Sequence, residues 1–352
     1  MNFLKYGVFY GKSLIMNPIL SIKPLGFPWE TQDPFLFCVH HLDEYPAGNE
    51  EMGVPQAALA GRRIGNDFVV KDGWRMYHGQ KVPGFPFHPH RGFETITINK
   101  QGYVDHSDSL GAASRFGEGD VQWMTAGKGV LHSEMFPLVH QDRDNTLEIF
   151  QIWLNLPKRS KFVEPHFKML WKEMVPVVES VDEAGKKTVI DLVAGTMGEA
   201  QAPAPTPDSW AAEPDHQVAV WTIKMEAGAK WTLPAASDSV HRTLYFYRGK
   251  NLGIDGQDIY SDHLVQLDPS ASISIQSGDE PVSLLLLQGK PIAEPVVQHG
   301  PFVMNTRQEI QEAFNDYQQT QFGGWPWPAH EMVHDRSRGR FAIHGDGKEE
   351  VK

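Results

Sequence analysis

Residues 87–98 read FHPHRGFETITI, a β-branched segment that opens with two histidines two positions apart. Side chains alternate between the faces of a strand, so His88 and His90 are expected on one face, about 7 Å apart along the chain. The same alternation puts four later side chains in phase with them: Gly92, Glu94, Ile96 and Ile98. Pro89 cannot donate to a neighbouring strand, so the segment is predicted to form an edge or a bulge.

A second segment with the same spacing follows. Residues 117–134 read GEGDVQWMTAGKGVLHSE, a tight turn, a strand, a glycine-broken loop and then His132 and Glu134. Two strands that each present a same-face pair would supply three imidazole nitrogens and one carboxylate oxygen. Imidazole and carboxylate without thiolate favour Fe(II), Mn(II), Ni(II), Cu(II) or Zn(II), and the spacing does not choose among them.

Composition narrows the classes of function. The 352 residues contain 32 basic and 44 acidic side chains, and the net charge of −12 argues against direct nucleic-acid binding. The single cysteine, Cys38, lies in an apolar segment and is predicted to be buried and inert; a reducing, cytoplasmic location fits best. No apolar run approaches the ~20 residues of a membrane helix. Residues 1–16 are predicted to be an N-terminal extension without a secretory signal.

The texture of the chain predicts an all-β fold. Short apolar or alternating segments are separated by Gly, Pro and Asp turns. We expect strands over eight such segments: Phe68–Lys71, Thr95–Ile98, Val121–Met124, Leu147–Leu154, Ala219–Met225, Thr243–Tyr247, Ser272–Gln276 and Val282–Leu287. Helical periodicity is confined to Thr306–Tyr317, where Thr306 and Glu309 form a predicted capping box.

Four prolines between Gly195 and Pro214 predict a loop between two β-rich halves. The predicted domains are a metal-binding unit at 17–160, a connecting segment and linker at 161–215, a metal-free unit at 216–300, and a helix with an extended surface tail at 301–352. In the second unit, His241 lacks a same-face partner for a metal site.

Three motifs together resemble the pirin family, two-domain members of the cupin superfamily. They are HPHRGFET from His88, GDVQWMTAGKGVLHSEM at Gly119–Met135 and EPVVQHGPFVMNT at Glu294–Thr306, and the resemblance spans about Met16–Phe322. It implies two stacked antiparallel cupin β-barrels of jelly-roll type, with metal in the N-terminal barrel alone. Iron is the family's usual ion. The ligands that the resemblance implies are His88, His90, His132 and Glu134.

Two glutamates compete for the carboxylate position. Many other cupins place it four residues after the second histidine, at Glu94, whereas the resemblance to pirins favours Glu134 and leaves Glu94 as a group close to the ligands. The chain departs from the family in two places. Pirins often have an acidic residue where this chain has Phe87, and the segment after Gly323 extends beyond shorter pirins.

Other histidines support weaker hypotheses. The run His330-Glu-Met-Val-His334 matches the HExxH pattern of zinc proteases, but the prolines at 326 and 328 argue against a helix there. We therefore interpret it as a coincidence in a surface tail. Four more histidines are candidates to line a cavity, His106 foremost: His40, His41, His78 and His106.

The resemblance implies an iron-dependent dioxygenase of the quercetinase type, with a flavonoid-like aromatic substrate and dioxygen. Glu134 would be the catalytic group that accepts a substrate hydroxyl proton. An alternative is a redox-sensing module that binds a protein partner without turnover. A third is an isomerase or small-ligand binder that uses the ion as a Lewis acid. Oxygen uptake with a flavonol would separate the first hypothesis from the other two.

Overall fold

The structure is a computed structural model that describes residues 17–352, so the predicted extension at 1–16 lies outside the described residues. It is nearly all-β. Fourteen strands precede residue 202: β1 Ile19–Pro24, β2 Phe35–Tyr45, β3 Gly84–His90, β4 Phe93–Gln101, β5 Tyr103–Asp108, β6 Ala113–Gly117, β7 Val121–Thr125, β8 Val130–Met135, β9 Asn145–Asn155, β10 His166–Leu170, β11 Val177–Val181, β12 Lys187–Ala194, β13 Thr196–Met197 and β14 Ala200–Gln201.

The remaining elements include one α-helix. They are β15 Ala219–Met225, β16 Lys230–Leu233, β17 His241–Arg248, β18 Asn251–Ile254, β19 Gln257–Tyr260, β20 His263–Leu267, β21 Ile273–Ser277, β22 Val282–Gly289, β23 Val297–His299, β24 Phe302–Met304, α1 Arg307–Thr320, β25 Phe341–Ile343 and β26 Glu349–Val351. The helix begins with the predicted capping box, in which the Thr306 hydroxyl and the Glu309 carboxylate each accept from the other residue's backbone amide. No helix among residues 17–352 is long and apolar enough to cross a membrane.

Four antiparallel sheets form two barrels of jelly-roll type. The first barrel combines a five-stranded sheet, β10-β7-β4-β9-β2, with a six-stranded sheet, β26-β25-β6-β5-β8-β3. The second combines a seven-stranded sheet, β1-β20-β17-β22-β15-β12-β11, with a four-stranded sheet, β16-β21-β18-β19. The N-terminal strand β1 therefore belongs to the second barrel, and the C-terminal strands β25 and β26 belong to the first.

The barrels are stacked through their two large sheets. One face of the five-stranded sheet, with Ile96, Trp123 and Phe150, packs in a single apolar cluster against Val220 and Leu285 of the seven-stranded sheet. Cys38 is fully buried in the same cluster, where burial raises the pKa of its thiol, so the inert thiol expected from the sequence is buried as predicted. Burial of this much apolar surface makes the two barrels one continuous body.

The element predictions are confirmed for seven of the eight strand segments and for the helix. The exception is Phe68–Lys71, which is irregular and leaves Val69 and Val70 exposed. The segment 161–215 holds more structure than a linker, because β10 pairs with β7 of the first barrel and β12 pairs with β15 of the second. Each barrel therefore includes a strand from the segment that connects the two barrels.

The C-terminal tail does not simply extend over the surface, as the sequence predicted. Strand β25 adds to the edge of β6, and Phe341 and Ala342 are fully buried there. Arg115 is buried beneath the tail, paired with Asp105, and donates to the backbone oxygens of His334 and Asp335. The tail is therefore part of the first barrel.

Candidate metal centre

The first histidine pair lies on β3, at the edge of the six-stranded sheet. His88 is directly opposite His132 of β8, and the pairing register shifts between Phe85 and His88. Pro89 therefore lies in an edge strand, one of the two positions that its missing amide proton predicts, and the bulge lies just before His88. The bulge and the antiparallel register together bring β3 and β8 side chains onto one interior face.

The predicted alternation beyond His90 is wrong, because the chain changes sheets at Gly92. Gly92 has φ of +87°, and a Cβ there would lie 2.0 Å from the Val303 carbonyl oxygen, so the turn requires glycine. The strand that resumes at Phe93 belongs to the five-stranded sheet. Glu94 and Ile96 consequently face the second barrel, and the alternate face, with Thr97, turns towards the histidines.

The three histidines converge. One ring nitrogen from each of His88, His90 and His132 lies within 4.8 Å of the others, and no other such group of histidine, cysteine or carboxylate atoms occurs among residues 17–352. Burial lowers the pKa of His88 to about 4 and holds the pKa values of His90 and His132 well below their usual range. All three imidazoles are therefore neutral near pH 7, the form that binds a metal ion.

Backbone carbonyls orient two of the rings. The Nδ1 atom of His88 lies 2.9 Å from the Pro86 oxygen, and that of His90 lies 3.4 Å from the Pro301 oxygen. Because a carbonyl can only accept, each Nδ1 carries the proton and each Nε2 keeps a lone pair. A histidine that binds a metal ion through one ring nitrogen typically donates a hydrogen bond from the other nitrogen to such a carbonyl.

His132 tests whether the group fits an ion. Its ring is fully buried, and neither ring nitrogen has a hydrogen-bond partner among the described residues. An unpaired buried imidazole is costly, and a metal ion would satisfy one of its nitrogens. The donor set of three neutral imidazoles suits first-row transition metals, so these residues fit the ion that the family resemblance implies.

Glu134 lies beside the three histidines. Its Oε2 atom is 3.9 Å from His132 Nε2 and accepts from Gln151 Nε2 at 2.9 Å, while Oε1 lies 3.0 Å from the Thr97 hydroxyl. Burial raises the pKa of Glu134. The carboxylate is therefore held close to the histidines by two polar neighbours, and its role as a fourth ligand stays a prediction.

Thr97 and Gln151 were not identified from the sequence. Gln151 is the polar residue in the apolar strand segment Ile149–Leu154, which is an available signal for an inward-facing polar group. Thr97 could not be assigned, because the alternation counted through Gly92 places it on the wrong face.

Glu94 is not near the ligands. Its carboxylate accepts from Thr125 at 2.6 Å, Thr206 at 2.8 Å and Ser209 at 2.6 Å. Burial is the main cause that raises its pKa to about 7. Since Thr206 and Ser209 belong to the segment between the barrels, Glu94 fastens that segment to the first barrel. Its predicted place beside the ligands is wrong.

A cavity of about 500 Å³, within the size range of small-molecule sites, opens onto two of the three histidines, His88 and His90. His88, His90, Glu134 and Gln151 contribute its polar surface beside the ligands. Seven aromatic side chains form most of the remaining wall: Phe27, Phe37, Phe68, Phe85, Phe87, Phe136 and Trp153. The arrangement can bind a flat apolar ring system and present one end of it to the metal centre.

Two of the four histidines suggested as cavity residues do line it, namely His41 and His78. His106, the favoured candidate, is fully buried instead, with Nε2 3.2 Å from Asp108 and its ring stacked on Phe167. His40 faces the other side of its strand and pairs with Glu148.

The HExxH match is not a metal site. The segment is not helical. His330 packs on Phe87, Glu331 accepts from the backbone amides of Gln80 and Lys81, and His334 lies with Nε2 3.0 Å from the His106 oxygen.

The two departures from the pirin pattern meet at one place. Phe87, which replaces an acidic residue, stacks on Trp325 of the tail at 5.3 Å between ring centres. Its amide also donates to the His330 oxygen. The extra tail therefore covers the residue that precedes the first histidine, and an apolar side chain there suits that contact.

A buried three-histidine centre in one of two stacked jelly-roll barrels defines the class of two-barrel cupins. The model of the pirin family matches residues 55–154, and that of the pirin C-terminal cupin domain matches residues 220–323. The chain belongs to the pirin family.

Individual relatives agree with that assignment. A Pseudomonas aeruginosa protein provisionally named quercetin 2,3-dioxygenase is 36% identical over 69% of this chain and 80% of its own length. Human pirin is 32% identical over 70% of this chain and 80% of its own length. A crystal structure of quercetin 2,3-dioxygenase from Acinetobacter baumannii superposes with a TM-score of 0.67 and 26% identity, over 87% of this chain and 98% of that one. The predicted fold, two stacked cupin barrels with a short C-terminal helix, is confirmed.

Proposed function

We propose that this protein is an iron-dependent dioxygenase that opens the heterocyclic ring of a flavonol such as quercetin. The observation that supports the proposal most is the aromatic cavity of about 500 Å³ that ends at His88 and His90, two of the three converging histidines. The names of the relatives from Pseudomonas aeruginosa and Acinetobacter baumannii point to the same substrate class.

The chain's own residues have distinct tasks in this proposal. His88, His90 and His132 would hold the ion, which when bound supplies Lewis acidity and redox chemistry. Glu134 would accept the proton of the flavonol hydroxyl, since burial raises the pKa of its carboxyl and makes it a stronger base. If the ion is bound by the histidines alone, Glu134 is free for this task; as a ligand it would have to loosen first.

Two neighbours of Glu134 fix the orientation of the carboxylate that would accept this proton. Gln151 donates to Oε2 and Thr97 lies against Oε1, so the carboxylate has one preferred orientation. Phe37, Phe85 and Trp153 would hold the flavonol rings and exclude water from the reacting atoms.

Oxygen consumption by the iron-loaded protein with quercetin tests the proposal. Uptake is expected in the wild type and should be lost in His88→Ala, which removes a proposed ligand. Glu134→Gln should still bind iron through the three histidines when iron is in excess, at an affinity lowered by at least about 10-fold, and should lower turnover by about 10²–10⁴-fold, the usual contribution of a general base. Full iron occupancy without oxygen uptake from any flavonol would contradict the proposal and favour a regulatory, protein-binding role.

Iron and a cytoplasmic location are proposals of the same standing. Metal analysis of protein purified without added metal tests the first, and fractionation of cells that produce the natural chain tests the second.

A further inference from the structure

The cavity has a second polar region in its wall, at a distance from the metal centre. His41 lies on β2 and lines the cavity together with the aromatic wall. It is two residues, about 7 Å, along β2 from Val39, which is directly opposite Gln151. Gln151 in turn donates to Glu134. One cavity thus has polar groups at two well-separated places.

Three buried residues behind His41 fix the position of its proton. Arg75 donates to both oxygens of Asp43, from Nε at 2.9 Å and from Nη2 at 3.0 Å. The Tyr77 hydroxyl also donates to Asp43 Oδ2, at 2.6 Å. Because both Asp43 oxygens accept, Asp43 is a carboxylate, and the single Tyr77 proton points towards it.

The Tyr77 oxygen is then an acceptor for His41. The His41 Nδ1 atom lies 2.8 Å from it, so Nδ1 carries the imidazole proton. His41 Nε2 consequently has a lone pair, and among residues 17–352 it has no hydrogen-bond partner. Burial and the nearby Arg75 charge hold the pKa of His41 well below its usual range, so the ring stays neutral near pH 7.

We infer that His41 Nε2 is a substrate-binding group that accepts a hydrogen bond from a second hydroxyl of the aromatic substrate, distant from the hydroxyl at the metal centre. Tyr77, Asp43 and Arg75 position it. This inference rests on the proposed function and adds a substrate preference: polyhydroxylated ring systems over those with a single hydroxyl. A neutral acceptor disfavours methyl ethers and carboxylates at this place, because they offer no proton.

A comparison of two ligands tests the inference. Quercetin has several hydroxyls remote from its 3-hydroxyl, and 3-hydroxyflavone has none. Dissociation constants would be measured on the iron-loaded protein by quenching of tryptophan fluorescence, in the absence of oxygen so that quercetin is not consumed. The wild type is expected to bind quercetin about 10-fold more tightly than 3-hydroxyflavone, as one buried hydrogen bond allows.

Variants of His41 and of the residues that position it make the test more specific. His41→Phe should bring the two constants within about twofold, whereas His41→Gln, whose amide oxygen can accept, should keep part of the preference. Tyr77→Phe should reduce the preference by removing the partner that fixes the His41 proton. The matched control is His40→Gln, on the opposite face of the same strand, which should keep the full preference. Metal content and circular dichroism would confirm that each variant is folded.

The outcomes separate this inference from the proposed function. A full quercetin preference in folded His41→Phe, or equal binding of both ligands by the wild type, would overturn the role of His41 alone. Failure of the wild type to bind either ligand would overturn the proposed function, and the inference with it.

Discussion

The two barrels share an architecture but fill their interiors differently. The first holds three neutral imidazoles and a carboxylate beside an aromatic cavity, whereas the second is filled by Leu244, Phe246, Ile275 and similar side chains. His241 of the second barrel is exposed, with Nδ1 2.9 Å from the Asp33 oxygen. An apolar core stabilises a barrel by packing, and buried polar groups have value only when they find partners.

The difference indicates that the two barrels have different roles. The second barrel contributes an apolar core and one whole face of the interface between barrels. The first leaves His132 without a protein partner for either ring nitrogen among the described residues, which is unfavourable until an ion binds. Four experiments test this contrast.

The largest effect is expected at His132. His132→Ala should reduce the metal content from about one ion per chain to less than about 0.1, because two imidazoles alone bind weakly. His241→Ala, a histidine of the second barrel, is the control and should keep about one ion per chain. Elemental analysis of both proteins measures this, and metal loss in His241→Ala would refute the contrast.

The reverse experiment is Phe246→Ala. Removal of a fully buried ring should lower the free energy of unfolding by about 3–5 kcal/mol in denaturant titrations of the metal-free protein. The metal content per folded chain should not change. A variant that stays stable but loses its ion would show that the second barrel shapes the site directly.

The boundary between the barrels should respond to pH through Glu94. Its folded pKa of about 7 lies above an ordinary value near 4.5, so the folded protein binds the extra proton between these pH values. The free energy of unfolding should therefore fall by up to about 3 kcal/mol as the pH rises from 4.5 to 7, and then level off. Glu94→Gln should remove that part of the dependence and keep the ion. Loss of metal in Glu94→Gln would show instead that Glu94 contributes to the metal site.

The smallest effect concerns the partners of the carboxylate. Thr97→Val and Gln151→Leu should each weaken metal binding by about 10–100-fold, since groups that orient ligands usually contribute this much. Competition with a chelator of known affinity measures it. Thr243→Val removes a comparable buried hydroxyl from the second barrel and should leave metal affinity unchanged. Equal affinities in Thr97→Val, Gln151→Leu and the wild type would mean that Glu134 is not a ligand.

Much of this contrast could be predicted from the sequence, for physical reasons that differ by residue. The i, i+2 spacing of His88 and His90 survives because β3 is regular where it matters, and Pro89 signals the edge. The place of Glu94 could not be predicted, since the change of sheet at Gly92 depends on the close approach of Val303. The place of His41 in the cavity was predicted, but the orientation of its proton could not be, because Tyr77, its hydrogen-bond partner, lies 36 positions away.

A crystal structure of the iron-loaded protein with an anomalous difference map would test the central claim most directly. We predict one peak per chain, about 2 Å from a ring nitrogen of each of His88, His90 and His132, and none in the second barrel. A peak elsewhere, or a second peak among the strands of the C-terminal barrel, would contradict the account.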